Sequence, residues 1–574
     1  MAKVYGIDLG TTYSAIATLD ENSLPIVIPN HYDGGDLLAS AVYFQEGANP
    51  ENPVVGEYAK GMKDSEPDRV VEFVKRYIGR KDAPTYMFEG VQYDPITISS
   101  IILKRLKEYA GEQGHDVHDV VITCPAYFND KQKAATKQAG EIAGLNVLNI
   151  VYEPTAAALN YCSREYKENR KIMVYDLGGG TFDVSLIDFS VDDSGKVMMD
   201  SVRTKGDDRL GGIDWDSRMF DYMCQKYTFE NGTEVSDMDG ELKAKIRAQV
   251  EQAKKDLSTL EKKSYVINYD GDRTRIELTR QEFEEQTQDL VQRTMDFVHK
   301  LLTEANITPD NIDIVLLVGG STFMPMIRSA VEALFPEKVL MEQPNLAVAK
   351  GAAISAAIEW NVSLAQIQKK VEQGKELTEK EKEMIGSDND TCSDKGTTLR
   401  EIEKAKYDKV DGFEHIERLT RSFGPAVYVG DDYMIDNLLF VGDVIPAEAE
   451  KTYGTRNENQ PEVKVSVYEN VSEDHKNKYI TPCFDAEGKP QYSDPDLKVD
   501  RIGEVVLNLP PNTPKDTPIR VVFRTSTVGL EVTAENLKTG ESVNGEIILD
   551  NGKTEQQVAE DKERMSKVRP MAEI

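Results

Sequence analysis

Cysteine is scarce in this chain of 574 residues, and long apolar runs are missing from it. No run approaches the roughly 18 apolar residues of a membrane span, and no signal segment with a charged and an apolar part precedes Val4. The cysteines are odd in number and have no C-x-x-C spacing, which argues against a disulfide framework and a zinc site. They are Cys124, Cys162, Cys224, Cys392 and Cys483. We therefore expect a cytoplasmic protein that is neither secreted nor inserted in a membrane.

Positive charge and the best-known phosphate-binding motifs are also lacking. Asp and Glu number 100 against 68 Lys and Arg, a net charge of −32, whereas proteins that bind duplex nucleic acid cluster Lys and Arg against the phosphates. This balance argues against nucleic acid as a partner. The chain has no G-x-x-x-x-G-K-[ST] motif and no G-x-G-x-x-G motif that opens a helix, so any phosphate chemistry requires other machinery.

What is present is typical of a globular protein with more than one domain. Hydrophobic residues make up 40% of the chain and charged residues 29%, a balance that distinguishes folded from disordered sequences. Single hydrophobic cores stop growing at about 250 to 300 residues. The length therefore predicts several cores.

Two short segments share one pattern: a strand, an Asp, a Gly-rich turn with Thr, and a second strand. They are GIDLGTTYS at 6–14 and YDLGGGTFDVS at 175–185. The repetition predicts an internal duplication with two similar α/β halves that face one another. A third turn, 319–322, follows the apolar strand 312–318 and precedes a helix, so that backbone N–H groups and the positive end of the helix dipole meet there.

The two Gly turns suit a phosphate and a hydrated metal ion. Small residues at 10–12 and 178–181 let backbone amides and hydroxyls approach an anion. Asp8 and Asp176 would then lie at the ends of facing strands, and Mg²⁺ needs only one or two carboxylates because it keeps most of its water ligands. The alternative is that each turn is an ordinary hairpin with a solvated Asp.

Several longer motifs resemble the nucleotide-binding domain of the 70-kDa heat-shock chaperones, the DnaK-like family. Besides the two Gly turns they are PAYFND (125–130), EPTAAAL (153–159), DDRLGGIDWD (207–216) and VLLVGGST (315–322). Their order and spacing match over residues 1 to about 360. The resemblance is weaker at 443–470 and 522–541, which are similar to the family's β-sandwich peptide-binding part. It implies an actin-like, two-lobed (duplicated RNase H-like) α/β ATPase domain followed by a small antiparallel β-sandwich.

The resemblance also implies the residues that bind ATP and Mg²⁺. Asp8, Asp176 and Glu153 would hold the metal ion through water, and Lys75 would reach the γ-phosphate and the attacking water. Thr181 would lie near the same phosphate, and Asp183 and Glu153 are the candidates for a general base. The remaining nucleotide contacts would come from Gly10, Thr11, Thr12, Tyr13, Gly178, Gly179, Gly180, Gly211, Glu251, Lys254, Lys255, Ser258, Gly319, Gly320, Ser321 and Phe323.

This chain departs from the family pattern at several of these points. Phe323 stands where the family has an Arg that stacks on the adenine, and Asn345 where an Asp is usual; a ring can replace a guanidinium as a stacking plate. Asn149 stands at the family's basic contact for J-domain partners. Adenine binding is therefore expected to be retained but altered, and J-domain and nucleotide-exchange co-chaperones are candidate partners with the J-domain contact changed.

Composition divides the chain into four parts. Residues 1–360 form the ATPase domain, and 361–421 are predicted to be a polar, partly helical linker, looped at 386–397, in place of the family's short Leu-rich one. Short alternating runs within 422–550 predict the β-sandwich. Residues 551–574 are expected to form at most one short charged helix, too little for the family's helical lid.

The β-sandwich is expected to bind unfolded or extended peptide segments. Val463 and Val465 lie on alternate positions of one predicted strand, so both point to one face, and Tyr453 would complete an apolar pocket with Arg456 at its rim. The first functional hypothesis is therefore an ATP-driven chaperone of the 70-kDa heat-shock type, with weak turnover. The alternatives are an actin-fold phosphotransferase or filament-forming relative whose β domain binds a specific partner, and a nucleotide-binding scaffold with little turnover.

Overall fold

The computed structural model describes most of the chain. The described residues are 4–80, 82–163, 168–192, 196–385, 421–470, 499–526, 529–547 and 553–573, with short pieces between 398 and 419 and between 479 and 491. The loop predicted at 386–397 lies outside them. The helices are α1 (Glu57–Gly61), α2 (Pro95–Glu112), α3 (Asp130–Ile142), α4 (Glu153–Cys162), α5 (Gly212–Asn231), α6 (Gly240–Thr259), α7 (Arg280–Glu304), α8 (Pro325–Leu334), α9 (Ala347–Glu372), α10 (Glu379–Met384) and α11 (Glu555–Lys567).

The strands fall into two groups along the chain. Before residue 420 they are β1 (Val4–Asp8), β2 (Tyr13–Leu19), β3 (Pro25–Val27), β4 (Leu38–Ala39), β5 (Val42–Tyr43), β6 (Val54–Val55), β7 (Val70–Val71), β8 (Tyr86–Phe88), β9 (Val91–Tyr93), β10 (Asp119–Cys124), β11 (Asn146–Tyr152), β12 (Arg170–Leu177), β13 (Phe182–Val191), β14 (Val197–Asp207), β15 (Lys262–Tyr269), β16 (Asp272–Thr279), β17 (Ile314–Val318), β18 (Val339–Leu340) and β19 (Phe413–Ile416). After it they are β20 (Ser422–Val429), β21 (Asp432–Asp436), β22 (Glu448–Gly454), β23 (Glu462–Asn470), β24 (Tyr479–Ile480), β25 (Cys483–Phe484), β26 (Pro490–Gln491), β27 (Asp500–Asn508), β28 (Pro518–Ser526), β29 (Gly529–Asn536) and β30 (Ser542–Ile547).

Two mixed sheets carry the ATPase part of the chain. The first lobe is built on the sheet in the order β11, β10, β1, β2, β3, with β4 also paired to β2, and the second lobe on the sheet β18, β17, β12, β13, β14, β19. In the first lobe β1 is antiparallel to β2 and parallel to β10. In the second lobe β12 is antiparallel to β13 and parallel to β17. A hairpin flanked by a parallel strand therefore occurs once in each lobe.

Helices α4 and α9 connect the two sheets through close, small-residue packing. Helix α9 packs on β1 and β2, α4 packs on β12, and the two helices pack on each other. A Cβ at Gly351 would lie 1.6 Å from the carbonyl oxygen of Ala156. The alanines of both helices are buried in one core with residues from both sheets. This seam fixes the position of the two Gly turns relative to each other.

The described residues of the segment 361–421 lie against the ATPase part, although the sequence of the segment is polar. Helix α9 continues to Glu372, and the indole N–H of Trp360 donates to the carbonyl of Ala405 at 3.0 Å. The Asn361 amide exchanges two hydrogen bonds with the backbone of Tyr407, both at 2.9 Å. Ile402, Tyr407 and Val410 are buried, and β19 extends the second lobe's sheet in parallel to β14. A few well-spaced apolar residues are thus enough to fix a stretch whose composition resembles a linker.

The β domain, residues 422–547, contains two antiparallel sheets. One has the order β24, β21, β20, β23, β27 and the other β22, β28, β29, β30. Alternate residues of both sheets share one apolar core, among them Val467, Val505, Phe523 and Val532. The period-2 alternation of the sequence therefore matches the observed burial.

The C-terminal residues form one short charged helix, as the sequence allowed, and this helix is docked on the first lobe. Positions 558, 561, 565 and 568, in α11 and at its end, repeat with helical spacing, and Val558, Met565 and Val568 are buried in the core of the first lobe. Helix α11 packs on α2 and α3. The many charged residues of this segment obscure the small apolar face that makes it dock.

Within the described residues, none of the helices combines the length and the apolar character that crossing a bilayer would require.

Candidate functional site

The two predicted Gly turns face each other at the point where the lobes meet. A Cβ at Gly179 would lie 2.0 Å from the hydroxyl oxygen of Thr12, and a Cβ at Gly180 would lie 2.6 Å from the methyl group of Thr11. The hairpin of Gly10 is equally tight, because a Cβ there would lie 1.9 Å from the carbonyl oxygen of Tyr13. Glycine at these positions lets turns from separate lobes touch.

A cavity of about 720 Å³ opens beside these turns, and most of the predicted ATP and Mg²⁺ residues line it. Three of the predicted residues, Gly180, Gly211 and Asp183, lie behind the cavity wall. Gly211 packs on the backbone of Gly180, and Asp183 lies in register opposite Asp176 on the neighbouring strand. The predicted residues in the wall are Asp8, Gly10, Thr11, Thr12, Tyr13, Lys75, Glu153, Asp176, Gly178, Gly179, Thr181, Glu251, Lys254, Lys255, Ser258, Gly319, Gly320, Ser321 and Phe323.

Four carboxylic acids and one lysine meet at the inner end of the cavity; Glu153, Asp176 and Asp183 are buried, and Asp8 is partly buried. The Lys75 ammonium contacts the carboxylate of Glu153 directly, and both side chains are buried. Burial and the charge of Glu153 raise the pKa of Asp8 to about 7. Burial and the neighbouring carboxylates also raise the pKa of Asp176 and that of Asp183 well above their usual range. One lysine therefore does not compensate the negative charge of this cluster.

Lys75 itself remains a cation. Burial alone would lower its pKa, but the carboxylates of Glu153 and Asp8 outweigh this effect and raise it. Its position is set by the short 3-10 helix Val74–Tyr77, which follows Phe73 in the left-handed region at φ 57°. Glu153 begins α4 and is followed by Pro154, a residue typical of the first turn of a helix.

Residues 123–127 donate hydrogen bonds to two acids of the cluster. Thr123 at the end of β10 donates its hydroxyl to Asp8 at 3.1 Å. The backbone N–H groups of Ala126 and Tyr127 donate to Asp183 and oppose the rise of its pKa. The PAYFND segment therefore contributes backbone donors to the acid cluster.

One face of α6 forms the outer end of the cavity. Glu251, Lys254, Lys255 and Ser258 follow helical spacing, and Lys255 lies 2.8 Å from Glu251. The Lys60 and Lys255 ammonium groups lower the pKa of Glu251 to about 2, overcoming the opposite effect of burial. Lys254 forms a 2.7 Å ion pair with Asp216 of α5.

The third Gly turn joins this outer end to the Gly178 turn. The hydroxyl of Ser321 donates to the carbonyl of Gly178 at 2.8 Å, and Gly319 has φ 85°, a conformation that favours glycine. Phe323 is 47% exposed and lines the cavity together with Asn345. An exposed ring at a cavity wall is available as a stacking plate.

Sequence reasoning missed two cationic residues that cross from the first lobe to the second. Arg76 donates to the carbonyl of Gly180 and to the carboxylate of Asp214, both at 2.9 Å. Lys60 of α1 lies 2.6 Å from Glu251. The position of Arg76 next to Lys75 was the only available signal for it; nothing in the sequence distinguishes Lys60 from a surface lysine.

Asn149 and Arg456, two residues that depart from the family pattern, both contact acidic side chains in the structure. The amide of Asn149 donates to the carboxylate of Glu359 at 2.9 Å, so the position where the family is basic is neutral and pairs with an acid. In the β domain the Arg456 guanidinium lies 3.7 Å from the centre of the Tyr428 ring and 3.7 Å from Asp431.

The other predicted peptide contacts face the inside of the β domain. Val465 is 3% exposed and lies in the shared core, and Val463 packs against the same core. The phenol of Tyr453 donates to the buried carboxylate of Asp436 at 2.8 Å, which links the two sheets. Val465 is thus buried, whereas Val463 and Tyr453 are each only partly buried.

The donor set at the inner end fits a hydrated divalent cation better than a directly bound one. In the part of the chain that the structure describes, no three His, Cys, Asp or Glu side chains converge closely enough to hold a metal ion by themselves. The carboxyls of Asp8, Asp176 and Glu153 nevertheless line one cavity wall with an excess of negative charge. Mg²⁺ commonly binds in this way, through one or two carboxylates, several waters and substrate phosphates.

Comparison with protein families agrees with this geometry. The family model described as Hsp70 protein matches residues 4–368, which is more than half of the chain and includes both lobes, all three Gly turns and Lys75. An Hsp70 domain implies the actin-like ATPase fold, a class to which the mixed sheets and facing hairpins correspond. The chain belongs to the Hsp70 family of 70-kDa heat-shock proteins.

Proposed function

We propose that this chain hydrolyses ATP to ADP and phosphate between its two lobes and couples the reaction to binding of unfolded or extended polypeptide by its β domain. Members of the Hsp70 family are ATPases that generally bind ATP with Mg²⁺, and they generally bind unfolded peptides and co-chaperones. The observation that carries the proposal is the buried contact between Lys75 and Glu153, placed where the Gly turns of the two lobes meet.

The phosphates of ATP would lie between the two Gly turns. The hydroxyls of Thr11, Thr12 and Thr181 and the backbone of the glycines line the cavity there, without side chains that would block an anion. Backbone amides that converge in a turn form an anion-binding concavity. The turns come from different lobes, so closure of the lobes would complete the phosphate site.

Asp8, Asp176 and Glu153 would hold Mg²⁺ through its water ligands. When bound, Mg²⁺ would offset phosphate charge and orient the β- and γ-phosphates. The raised pKa values of Asp8 and Asp176 support this assignment, because buried acids that repel one another are stabilised by a nearby cation.

Lys75 would neutralise charge on the transferred phosphoryl group and position the attacking water. Phosphoryl transfer needs little covalent chemistry, so positioning and electrostatic stabilisation supply most of the rate acceleration. The raised pKa of Lys75 keeps the ammonium protonated for this task. Asp183 and Glu153 are the candidates for accepting the water proton; Glu153 lines the cavity and contacts Lys75, whereas Asp183 lies behind the cavity wall.

The nucleoside would lie along α6. Glu251, Lys254, Lys255 and Ser258 would contact the ribose and base, and Phe323 would stack on the adenine. Gly319 and Gly320 leave room beside it. A ring in place of a guanidinium retains the stacking contact but removes a cation, so we expect adenine binding with altered strength.

The proposal also includes peptide binding, co-chaperone partners and a cytoplasmic location. The β domain would bind peptide, and J-domain and exchange partners would act on the ATPase part, with the J-domain contact altered because Asn149 pairs with Glu359. A reducing cytoplasm suits the buried thiols of Cys124, Cys162 and Cys224, which are not joined in disulfides.

A second function deserves a test because the expected peptide cleft has unusual contacts. Arg456 covers the Tyr428 ring, and Val465 is buried in the core. These contacts favour an actin-fold ATPase whose β domain binds one specific partner instead of unfolded chains in general.

Phosphate release with and without an unfolded peptide separates the two functions. The general chaperone predicts release that depends on Mg²⁺ and ATP and is stimulated by the peptide. Release without stimulation selects the specific-partner alternative, and no release above the background contradicts the ATPase.

The metal assignment has its own test. Calorimetry should show weaker binding of Mg-ATP to the double variant Asp8→Asn, Asp176→Asn than to the original chain, by about tenfold or more for the loss of two charged ligands. An exposed Asp272→Asn variant serves as the control. Unchanged affinity in the double variant contradicts the assignment.

A further inference from the structure

The beginning of the C-terminal segment 553–573, here called the tail segment, is held between two helices of the first lobe. The Gln138 side chain on α3 exchanges two hydrogen bonds with the Lys553 backbone, at 2.8 and 3.0 Å. The Lys553 ammonium lies 2.7 Å from Asp94, which caps α2, and also contacts Asp561. These contacts fix the start of α11 against both α2 and α3.

The far end of the tail segment is attached just as specifically. Lys104 of α2 donates to the carbonyl of Met565 at 2.6 Å, in the last turn of the helix. After the helix, Met571 forms a parallel bridge with Val54, and the Val55 N–H donates to the Met571 carbonyl at 2.8 Å. The chain therefore ends along the edge of β6.

Both attachment points support the segment that carries Lys75. Helix α2 packs directly on the 3-10 helix Val74–Tyr77. Strand β6 pairs with β5, and β5 pairs with β7, which leads into Phe73. Phe73 has φ 57°, and a non-glycine residue keeps this unfavourable conformation only where its surroundings impose it.

We propose that the tail segment is an intramolecular brace that positions Lys75, so that the ATPase is fully active only while α11 is seated on α2 and α3. The inference deepens the proposed function and rests on it, because it concerns the regulation of the same site. The brace acts from outside the cavity, through α2 on one side of Lys75 and through the β6, β5, β7 sheet on the other. Release of α11 would loosen Lys75 without removing any residue of the nucleotide site.

The full-length chain offers a matched pair of variants for the test. Met565→Asp with Val568→Asp places two charges in the buried face of α11 and should unseat it. Ala559→Asp with Ser566→Asp adds the same two charges on the exposed face and should leave it seated. Both double variants gain two negative charges within the same segment, and they differ in the face of α11 that carries them.

Amide hydrogen exchange without nucleotide is the first measurement. Unseating should speed exchange of residues 70–77 by about tenfold, since local opening sets exchange rates, and exchange of 553–573 still more. The exposed-face pair should match the original chain. This readout does not require ATP hydrolysis, so it decides the brace even if the proposed ATPase fails.

Single-turnover hydrolysis is the second measurement. The buried-face pair should hydrolyse bound ATP about tenfold more slowly, the scale of misplacing one catalytic charge slightly, with an ATP affinity within about threefold of the original. A chain ending at residue 552 should behave in the same way and recover when a 553–574 peptide is added. Unchanged exchange at 70–77 or an unchanged hydrolysis rate in the shortened chain overturns the proposal, as does failure of the peptide to restore either.

Discussion

Lys75 is the positive charge buried deepest in the cavity, surrounded by more acids than it can neutralise. Its contact with Glu153 is a buried ion pair, and such pairs are weak evidence for stability because desolvation opposes the attraction. The same arrangement suits chemistry, because a fixed cation in a dry site stabilises developing negative charge strongly. The position of this pair indicates a role in catalysis more than in folding.

Replacing Lys75 should therefore affect hydrolysis more than binding. In Lys75→Ala we expect single-turnover hydrolysis to fall by about 10²-fold or more, the scale for one pre-aligned charge in such sites. ATP affinity, measured by calorimetry, should change far less. Lys245→Ala, at an exposed lysine of α6, is the control. An unchanged hydrolysis rate in Lys75→Ala would contradict a catalytic role and leave Lys75 a structural one.

Asp8 gives a stability prediction because its pKa is about 7 in the folded, ligand-free chain. An unfolded Asp titrates near a pKa of about 4. Between these values the folded state holds a proton that the unfolded state has lost, so the free energy of unfolding falls as pH rises from about 4 to 7 and stays reduced above 7. The ionised carboxyl at pH 8 is thus destabilising.

Asp8→Asn should therefore be more stable than the original chain at pH 8, by on the order of 1–3 kcal/mol, with a smaller difference near pH 5. Calorimetric unfolding without nucleotide or Mg²⁺ measures both. Asp272→Asn, at an exposed position, should show no such pH dependence. A difference of the same size at both pH values would show that the Asp8 proton is not its cause.

At the scale of elements, the sequence predicted the parts that are local and repeated. The two Asp-Leu-Gly hairpins, the turn at 319–322 and the face of α6 could be located because a few adjacent residues define each one. Family membership and the mixed α/β class are confirmed. Most of the predicted nucleotide residues line one cavity, although their individual roles remain predictions.

The elements that could not be predicted depend on distant partners. The contacts of Arg76 and Lys60 could not be predicted, because their partners Gly180 and Glu251 come from the other lobe. Ile402 and Tyr407 in a polar stretch, and Met565 in a charged one, are buried because a helix of the ATPase part lies opposite. Val465 was predicted to contact peptide from its alternation with Val463 and from the resemblance to the family's cleft, and alternation does not tell which face of a strand is the core.

Arg76 allows the contact between lobes to be tested. Its guanidinium joins the 3-10 helix of the first lobe to Gly180 and to Asp214 at the start of α5. Hydrogen bonds to charged groups contribute about 1.5–3 kcal/mol, so Arg76→Ala should speed ATP release by about tenfold or more. Arg76→Lys should recover only part, because an ammonium cannot reproduce the planar fork. Stopped-flow release of a fluorescent ATP analogue measures the rate.

The control for this prediction is Arg209→Ala, which removes an arginine exposed near the same lobe boundary and paired with Asp82. Its release rate should match the original chain. Equal release from Arg76→Ala and the original chain would mean that the lobes are held together by other contacts, such as the pair of Lys60 and Glu251.

At the scale of the whole molecule, the ATPase part is contacted by every later segment of the chain. Arg418 binds Asp200 of β14 through two hydrogen bonds of 2.6 Å and also donates to Gly442 of the β domain. Arg421 lies over the ring of Tyr127, whose backbone donates to Asp183. Tyr127 therefore links Arg421, just before the β domain, to Asp183 of the acid cluster. This route would connect the proposed peptide binding to the proposed hydrolysis despite the long intervening segment.

The proposed binding of extended peptides can be tested at the contact that joins the end of β20 to the loop after β22. Arg456 lies over Tyr428 at 3.7 Å, and an exposed cation–π contact contributes about 0.5–1 kcal/mol, so Arg456→Ala should raise affinity for an apolar peptide by about two- to fivefold. Fluorescence anisotropy with labelled peptides measures it. Arg524→Ala, equally exposed and paired with Glu448 on the other sheet, should change nothing. If neither the original chain nor Arg456→Ala binds any peptide, the β domain recognises a specific partner instead.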